Sequence, residues 1–289
     1  MRHRSQHSSV EERDSRVAAF VDRYQLIAFI ALTFAWSWGA FVLLIQPLGL
    51  AATQLAQVVF AWGPLVGAVV VTAVSGDSVR EWAAQIDPRT TRLRWYLIAL
   101  ATPLLLTDGS RVLAWIAGAP VTAAEITVLE FLSQFAVTLV VAGALEEFGW
   151  RGFAQPRLQE RWSALTAALL IGLVWALWHF PLVYGGTGAG YGAGAFVGFL
   201  IGLPVFSVAM AWIYNGTSGG LLFVMLFHAM INAPSPLQIA DTAPSWAQTV
   251  GELGQLGFLL VVPLVLTLYY GREYLAASQP TPLIPGRRQ

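Results

Sequence analysis

Residues 127–151 read TVLEFLSQFAVTLVVAGALEEFGWR. From Phe131 to Leu145 the stretch carries no charge, and Glu146, Glu147 and Arg151 follow directly after it. A bilayer core takes about 20 mainly apolar residues per helix. The stretch is long enough to be such a helix, and its last turns then hold two carboxylates and a guanidinium in or near the membrane. Ionisable groups there are costly and mark functional sites by default. On a helix Glu147 and Arg151 are i, i+4 and share a face, which suits an ion pair. Glu146 lies about 100° further round and is free to face elsewhere.

Working outward, comparable apolar runs recur along the whole chain. The eight stretches are roughly 24–46, 53–74, 95–117, 127–150, 162–183, 193–214, 217–235 and 250–271. The third is the weakest, because Asp108 and Arg111 interrupt it. Two short helices, or a helix and a loop, fit there as well as one span. Of the 289 residues, 56% are hydrophobic and 11% charged. A soluble domain of this size needs far more charge to cover its surface. The reading is an all-α polytopic membrane protein with about eight transmembrane helices. Residues 1–23 read as a disordered cytoplasmic tail, 24–273 as the membrane domain and 274–289 as a C-terminal tail. The first apolar run is longer than a signal-peptide core and reads as a retained span.

The arginines test that count independently. All sixteen basic residues are Arg. With the N-terminus inside, every one except Arg111 falls on an inner segment, and the loops 118–126, 184–192 and 236–249 hold none. The positive-inside rule is satisfied by eight helices with both termini cytoplasmic. The formal net charge of zero argues against a nucleic-acid partner. With no Cys, disulfides, a thiolate zinc site and a Cys nucleophile are excluded. Gly190, Gly194, Gly198 and Gly202 recur every four residues and read as a small-residue face for close helix approach. The glycine-rich stretch 185–194 lacks the preceding strand and following Lys of a phosphate loop, so it reads as an extracytoplasmic loop. Trp150, Trp178 and Trp212 read as interface anchors or core.

The remaining candidate chemistry sits on two other apolar segments. His179 lies in WALWHFP (175–181), and His228 and Asn232 lie in LFHAMIN (226–232). Trp175 is one turn before His179, and His228 and Asn232 share a face. Counting along the helices puts Glu146, His179 and His228 about 20, 25 and 17 Å from their nearest inner turns. Those depths become similar if the end of the fourth helix protrudes into the headgroups, so the three groups are candidates for one cavity. A carboxylate with a neutral imidazole can hold and deprotonate water. A second His and an amide can donate to the oxyanion of a tetrahedral intermediate. Glu146, His179 and His228 are alternatively a possible zinc set, although the helical HExxH spacing is absent.

Three motifs stand in order here: EExxxR at 146–151, an aromatic-xxx-His at 175–179, and His-xxx-Asn at 228–232. Together, over about residues 128–235, they resemble the CAAX-protease and bacteriocin-processing family, also called abortive-infection proteins. The prenyl-protease branch usually has Phe where this chain has Trp175. The resemblance implies an intramembrane endopeptidase. Glu146 and His179 would activate water, Glu147 and Arg151 would support them, and His228 and Asn232 would form the oxyanion hole. It also implies a membrane-associated protein or peptide as substrate, contact with membrane lipid, and a metal that is disputed. A non-proteolytic scaffold or bacteriocin-immunity protein, or a proton-coupled transporter using the same groups, are the alternatives. The Arg-only, Cys-free composition suggests a bacterial plasma membrane.

Overall fold

The computed structural model describes residues 20–50, 54–87, 92–184 and 193–278. Most of the N-terminal tail, the end of the C-terminal tail and the glycine-rich stretch at 185–192, Gly190 included, lie outside the described residues. All eight apolar stretches form helices. Their order is α1 (Gln25–Ile45), α2 (Gln54–Val74), a short α3 (Val79–Ala83), α4 (Arg94–Ile116) and α5 (Val128–Gln159). Then come α6 (Ala164–Trp178), a short α7 (Phe180–Tyr184), α8 (Ala193–Gly216), α9 (Leu221–Ile231) and α10 (Ser245–Tyr270).

Among the described residues six of these helices are long and apolar enough to cross a membrane. Two shorter apolar helices are α6, with 15 residues, and α9, with 11. At 1.5 Å per residue they reach only about 22 and 16 Å, short of a hydrocarbon core of about 30 Å. α9 is packed inside the bundle and carries His228, whereas α6 buries one face, shows Leu169, Leu173 and Leu177 to the outside, and ends at His179.

Local chemistry sets where the central helices begin. Thr127 opens α5 with a capping box: its hydroxyl accepts from the Glu130 amide (3.2 Å), and Glu130 accepts from the Thr127 amide (2.8 Å). Ser163 caps α6 by accepting from the Thr166 amide at 3.3 Å. Such caps satisfy amides that have no partner within the helix.

In the bundle α1 packs on α2, α2 on α5, α5 on α9, α9 on α4, and α4 on α10, while α6 packs on α8. Two glycines flanking the Glu pair allow α5 its close contacts. A methyl group at Gly149 would come within 2.5–2.7 Å of Pro64 on α2, and one at Gly143 within 2.8 Å of the Met225 carbonyl on α9.

Of the readings left open for the third span, the structure has the single span, one continuous 23-residue helix. Asp108 is buried there because it is satisfied: Arg111 pairs with it at 3.3 Å, and Thr107 and Ser235 donate to it. The glycine series on α8 is not a close-packing face, because methyl groups at Gly194 or Gly198 would meet nothing within 4 Å. The close approach of α6 to α8 is instead at Gly172, which lies against Pro204. A two-stranded ribbon joins two of the loops, with Val121–Ala123 antiparallel to Leu237–Ile239.

Trp150, Trp178 and Trp212 are core. Trp150 and Trp178 are buried and meet edge to face at 6.0 Å; Phe29 abuts Trp150 and Phe60 abuts Trp178. Trp212 is buried beside Trp95.

Candidate active site

The Glu pair sits in a short α-helical stretch of α5, Leu145–Gly149, between two wider π-type turns at Leu139–Ala144 and Trp150–Ala154. Each π turn inserts an extra residue and re-aims the side chains beyond it, a device common at functional sites. Within the α-helical stretch Glu146 and Glu147 diverge by the usual angle of about 100°, and they meet different partners.

Glu147 and Arg151 are both completely buried. The Arg151 Nη1 lies 2.9 Å from each Glu147 oxygen, as the i, i+4 spacing predicted. Two further partners were not foreseen. His228 Nδ1, from α9, is 2.7 Å from Glu147 Oε1. Arg151 Nη2 donates to Ser207 Oγ on α8 at 3.1 Å. The Glu147–Arg151 pair thus ties three helices together. The guanidinium holds that carboxylate as an acceptor, so the imidazole donates from Nδ1.

Glu146 faces elsewhere. The Trp175 indole N–H, from α6, donates to Glu146 Oε2 at 2.7 Å. The other oxygen, Oε1, takes no hydrogen bond from the described residues. Trp175 is the centre of the arrangement. Its ring lies 5.1 Å from the Arg151 guanidinium, 5.1 Å from the His228 ring edge to face, and 5.8 Å from the His179 ring. The aromatic-xxx-His spacing had suggested packing against His179, but not a donor to the carboxylate. Only an indole supplies that N–H; a Phe at this position has none.

His179 caps the C-terminal end of α6, half-buried. Its Nδ1 is 2.9 Å from the Trp175 carbonyl, and Phe199 stacks on the ring at 5.2 Å. A carbonyl can only accept, so the proton is on Nδ1 and the Nε2 lone pair is left for another group.

Asn232 is placed differently from the others. It is exposed, caps the end of α9, and its amide donates to the His228 carbonyl at 3.3 Å. Among the described residues no hydrogen bond joins it to the Glu146–Trp175 or Glu147–His228 pairs. The i, i+4 spacing that placed it beside His228 on the helix is satisfied within the helix end itself.

The possible metal set can be tested against these positions. Among the described residues no group of three or more His, Asp or Glu side chains is placed to hold an ion. Glu146, His179 and His228 as they stand therefore do not fit a three-donor metal site, and no step below runs through one.

Fold and site together define a polytopic, all-helical membrane protein with a carboxylate–imidazole cluster at its centre. Residues 128–234, the segment that holds every member of that cluster, match the family described as type II CAAX prenyl endopeptidase Rce1-like. Over 136 residues the chain is 29% identical to a CAAX prenyl protease 2 of Methanococcus maripaludis, covering 45% of this chain and 48% of that one. The match thus spans about half the length of the curated relative.

Proposed function

We propose that the protein is an intramembrane endopeptidase that hydrolyses a peptide bond of a membrane-associated protein or peptide with water activated by Glu146 and His179. The observation that carries this reading is the convergence of three separate helices on Trp175, with one Glu146 oxygen held and the other left open.

Charge bookkeeping supports an acid–base role. Two carboxylates, Glu146 and Glu147, share the interior with one guanidinium, Arg151. A buried cluster is least costly near net zero. One proton is therefore shared between Glu146 and the histidines. With that proton on His228, Glu146 is a carboxylate and a base.

Water then sits between Glu146 Oε1 and His179 Nε2. Glu146 takes one proton as the oxygen attacks the peptide carbonyl. The carbonyl electron pair becomes an oxyanion, to which the Nε2–H of the protonated His228 donates. Collapse breaks the C–N bond, and Glu146 returns the proton to the leaving amine. Glu147, bound to Arg151 and His228, orients the imidazole and balances its charge. Asn232 contributes by fixing the end of the helix that carries His228.

The relative's name makes a prenylated C-terminal peptide the first substrate to try. The Arg-only, Cys-free composition supports a bacterial plasma membrane. The test is cleavage in proteoliposomes of a quenched farnesylated CAAX peptide beside an unprenylated peptide library, with and without chelator. We expect the wild type to cut, Glu146→Gln and His179→Ala to be inactive, and chelator to leave the rate unchanged. Loss of activity in chelator, restored by zinc, would overturn the metal-free mechanism. Cleavage that persists in Glu146→Gln would overturn the assignment of the base.

A further inference from the structure

A second feature lies apart from the catalytic cluster. A cleft of about 470 Å³ opens between the start of α1, the C-terminal end of α5 and the first turns of α6. Its volume is in the range of small-molecule sites, roughly 300–1,000 Å³. None of Glu146, Glu147, His179 or His228 lines it.

The cleft has two chemically distinct ends. At its mouth Arg23 precedes α1 and Arg161 precedes α6, and both are exposed. Tyr24 and Trp162 stand beside them, 36% and 48% exposed. Aromatic rings next to arginines are the signature of the membrane–water interface. Below the mouth the walls are apolar: Ile27 and Ile30 on α1, Leu170 and Val174 on α6. Ile27 and Leu170 are 63% and 36% exposed, so the cleft is open sideways. From Ala164 to Val174 it descends about 15 Å, at 1.5 Å per residue. That is half of a hydrocarbon core of about 30 Å, the depth of one leaflet.

The rest of the rim is a network rather than a set of spare charges. Asp22 accepts from the Gln25 amide at 3.0 Å, and Gln25 accepts from Arg157 Nε at 2.6 Å. Arg157 also donates to the Phe153 carbonyl and faces Asp77. Glu160 completes the rim. With cations and carboxylates both present, charge complementarity favours a headgroup that carries a phosphate and an amine over one that is only anionic.

We infer that this cleft is a resident site for a zwitterionic glycerophospholipid, with its phosphate at Arg23 and Arg161 and one acyl chain between α1 and α6. The claim does not depend on the protease reading, and its readout does not need activity.

The experiment uses the purified full-length protein, exchanged into detergent and titrated with phosphatidylethanolamine, phosphatidylglycerol or inorganic phosphate, and read by native mass spectrometry. We expect one tightly retained phosphatidylethanolamine per chain, weaker retention of phosphatidylglycerol, and no displacement by inorganic phosphate. Arg23→Ala with Arg161→Ala removes the phosphate partners and should lower affinity by about tenfold or more. Leu170→Trp, at the lipid-facing edge, should block the chain to a similar extent. Unfolding temperatures checked in parallel separate loss of the site from loss of the fold. Equal lipid retention by wild type and both variants would overturn the inference. So would displacement by phosphate alone, which would make the mouth a simple anion site. Stronger lipid retention after deletion of residues 1–19 would give the cleft to the chain's own N-terminal segment instead.

Discussion

Helices α10 and α9 are both apolar, yet they face different surroundings. α10 runs 26 residues and shows Leu253, Leu264 and Leu268 to the outside, the last 76% exposed. α9 runs 11 residues, and eight of them are buried, His228 among them. Lipid tails are as apolar as leucine, so an outer face gains nothing by leaving lipid for protein. The inner helices are held by packing and by polar bonds with no water to replace them. The difference teaches where in this molecule a single side chain counts. A change on α10 alters a lipid-facing surface. A change near α9 leaves a buried charge or a buried donor without its partner.

That contrast can be broken or sharpened by substitution, taken from the largest expected effect downward. Glu146→Gln keeps the shape of the side chain and removes the base. Cleavage should fall by about 10²–10⁴-fold, the usual worth of a positioned acid–base group, with the unfolding temperature unchanged. Arg151→Ala leaves Glu147 buried without its cation. It should destabilise the fold by about 3–5 kcal/mol, seen as a large drop in the detergent unfolding midpoint. Trp175→Phe keeps the ring and deletes the N–H held on Glu146. A hydrogen bond to a charged group is worth about 1.5–3 kcal/mol, so we expect kcat to fall about tenfold or more while KM moves little. Leu268→Ala on α10 should change stability by no more than about 0.5 kcal/mol. A larger effect there than at Arg151 would invert the comparison.

The outer part of the fold was legible in the sequence, because an uninterrupted apolar run of span length has few other fates. The three motifs were legible too, because charged residues in such runs are rare. What was hidden came from contacts between segments far apart in sequence. Asp108 reads as an interruption until Ser235, 127 residues away, donates to it and lets α4 run on. Ser207 is an ordinary small polar residue until Arg151 reaches it from another helix. The two π turns around the Glu pair leave no trace in a 3.6-residue pattern, and neither do the partners, Trp175 for Glu146 and His228 for Glu147. Asn232 shows the opposite error, since a correct spacing on one helix said nothing of which way its amide is used. The glycine series was regular, but Gly194 and Gly198 faced open space, whereas the less conspicuous Gly172 made the close contact.

The central claim is that the two adjacent glutamates do different work, Glu146 in chemistry and Glu147 in holding the cluster together. The most direct test places Glu146→Gln and Glu147→Gln side by side in the same proteoliposomes, with cleavage rate and unfolding midpoint measured on each. The account predicts a stable, inactive Glu146→Gln and a Glu147→Gln that loses stability along with activity. A Glu146→Gln protein that still cleaves, or a Glu147→Gln protein as stable as the wild type, would contradict it.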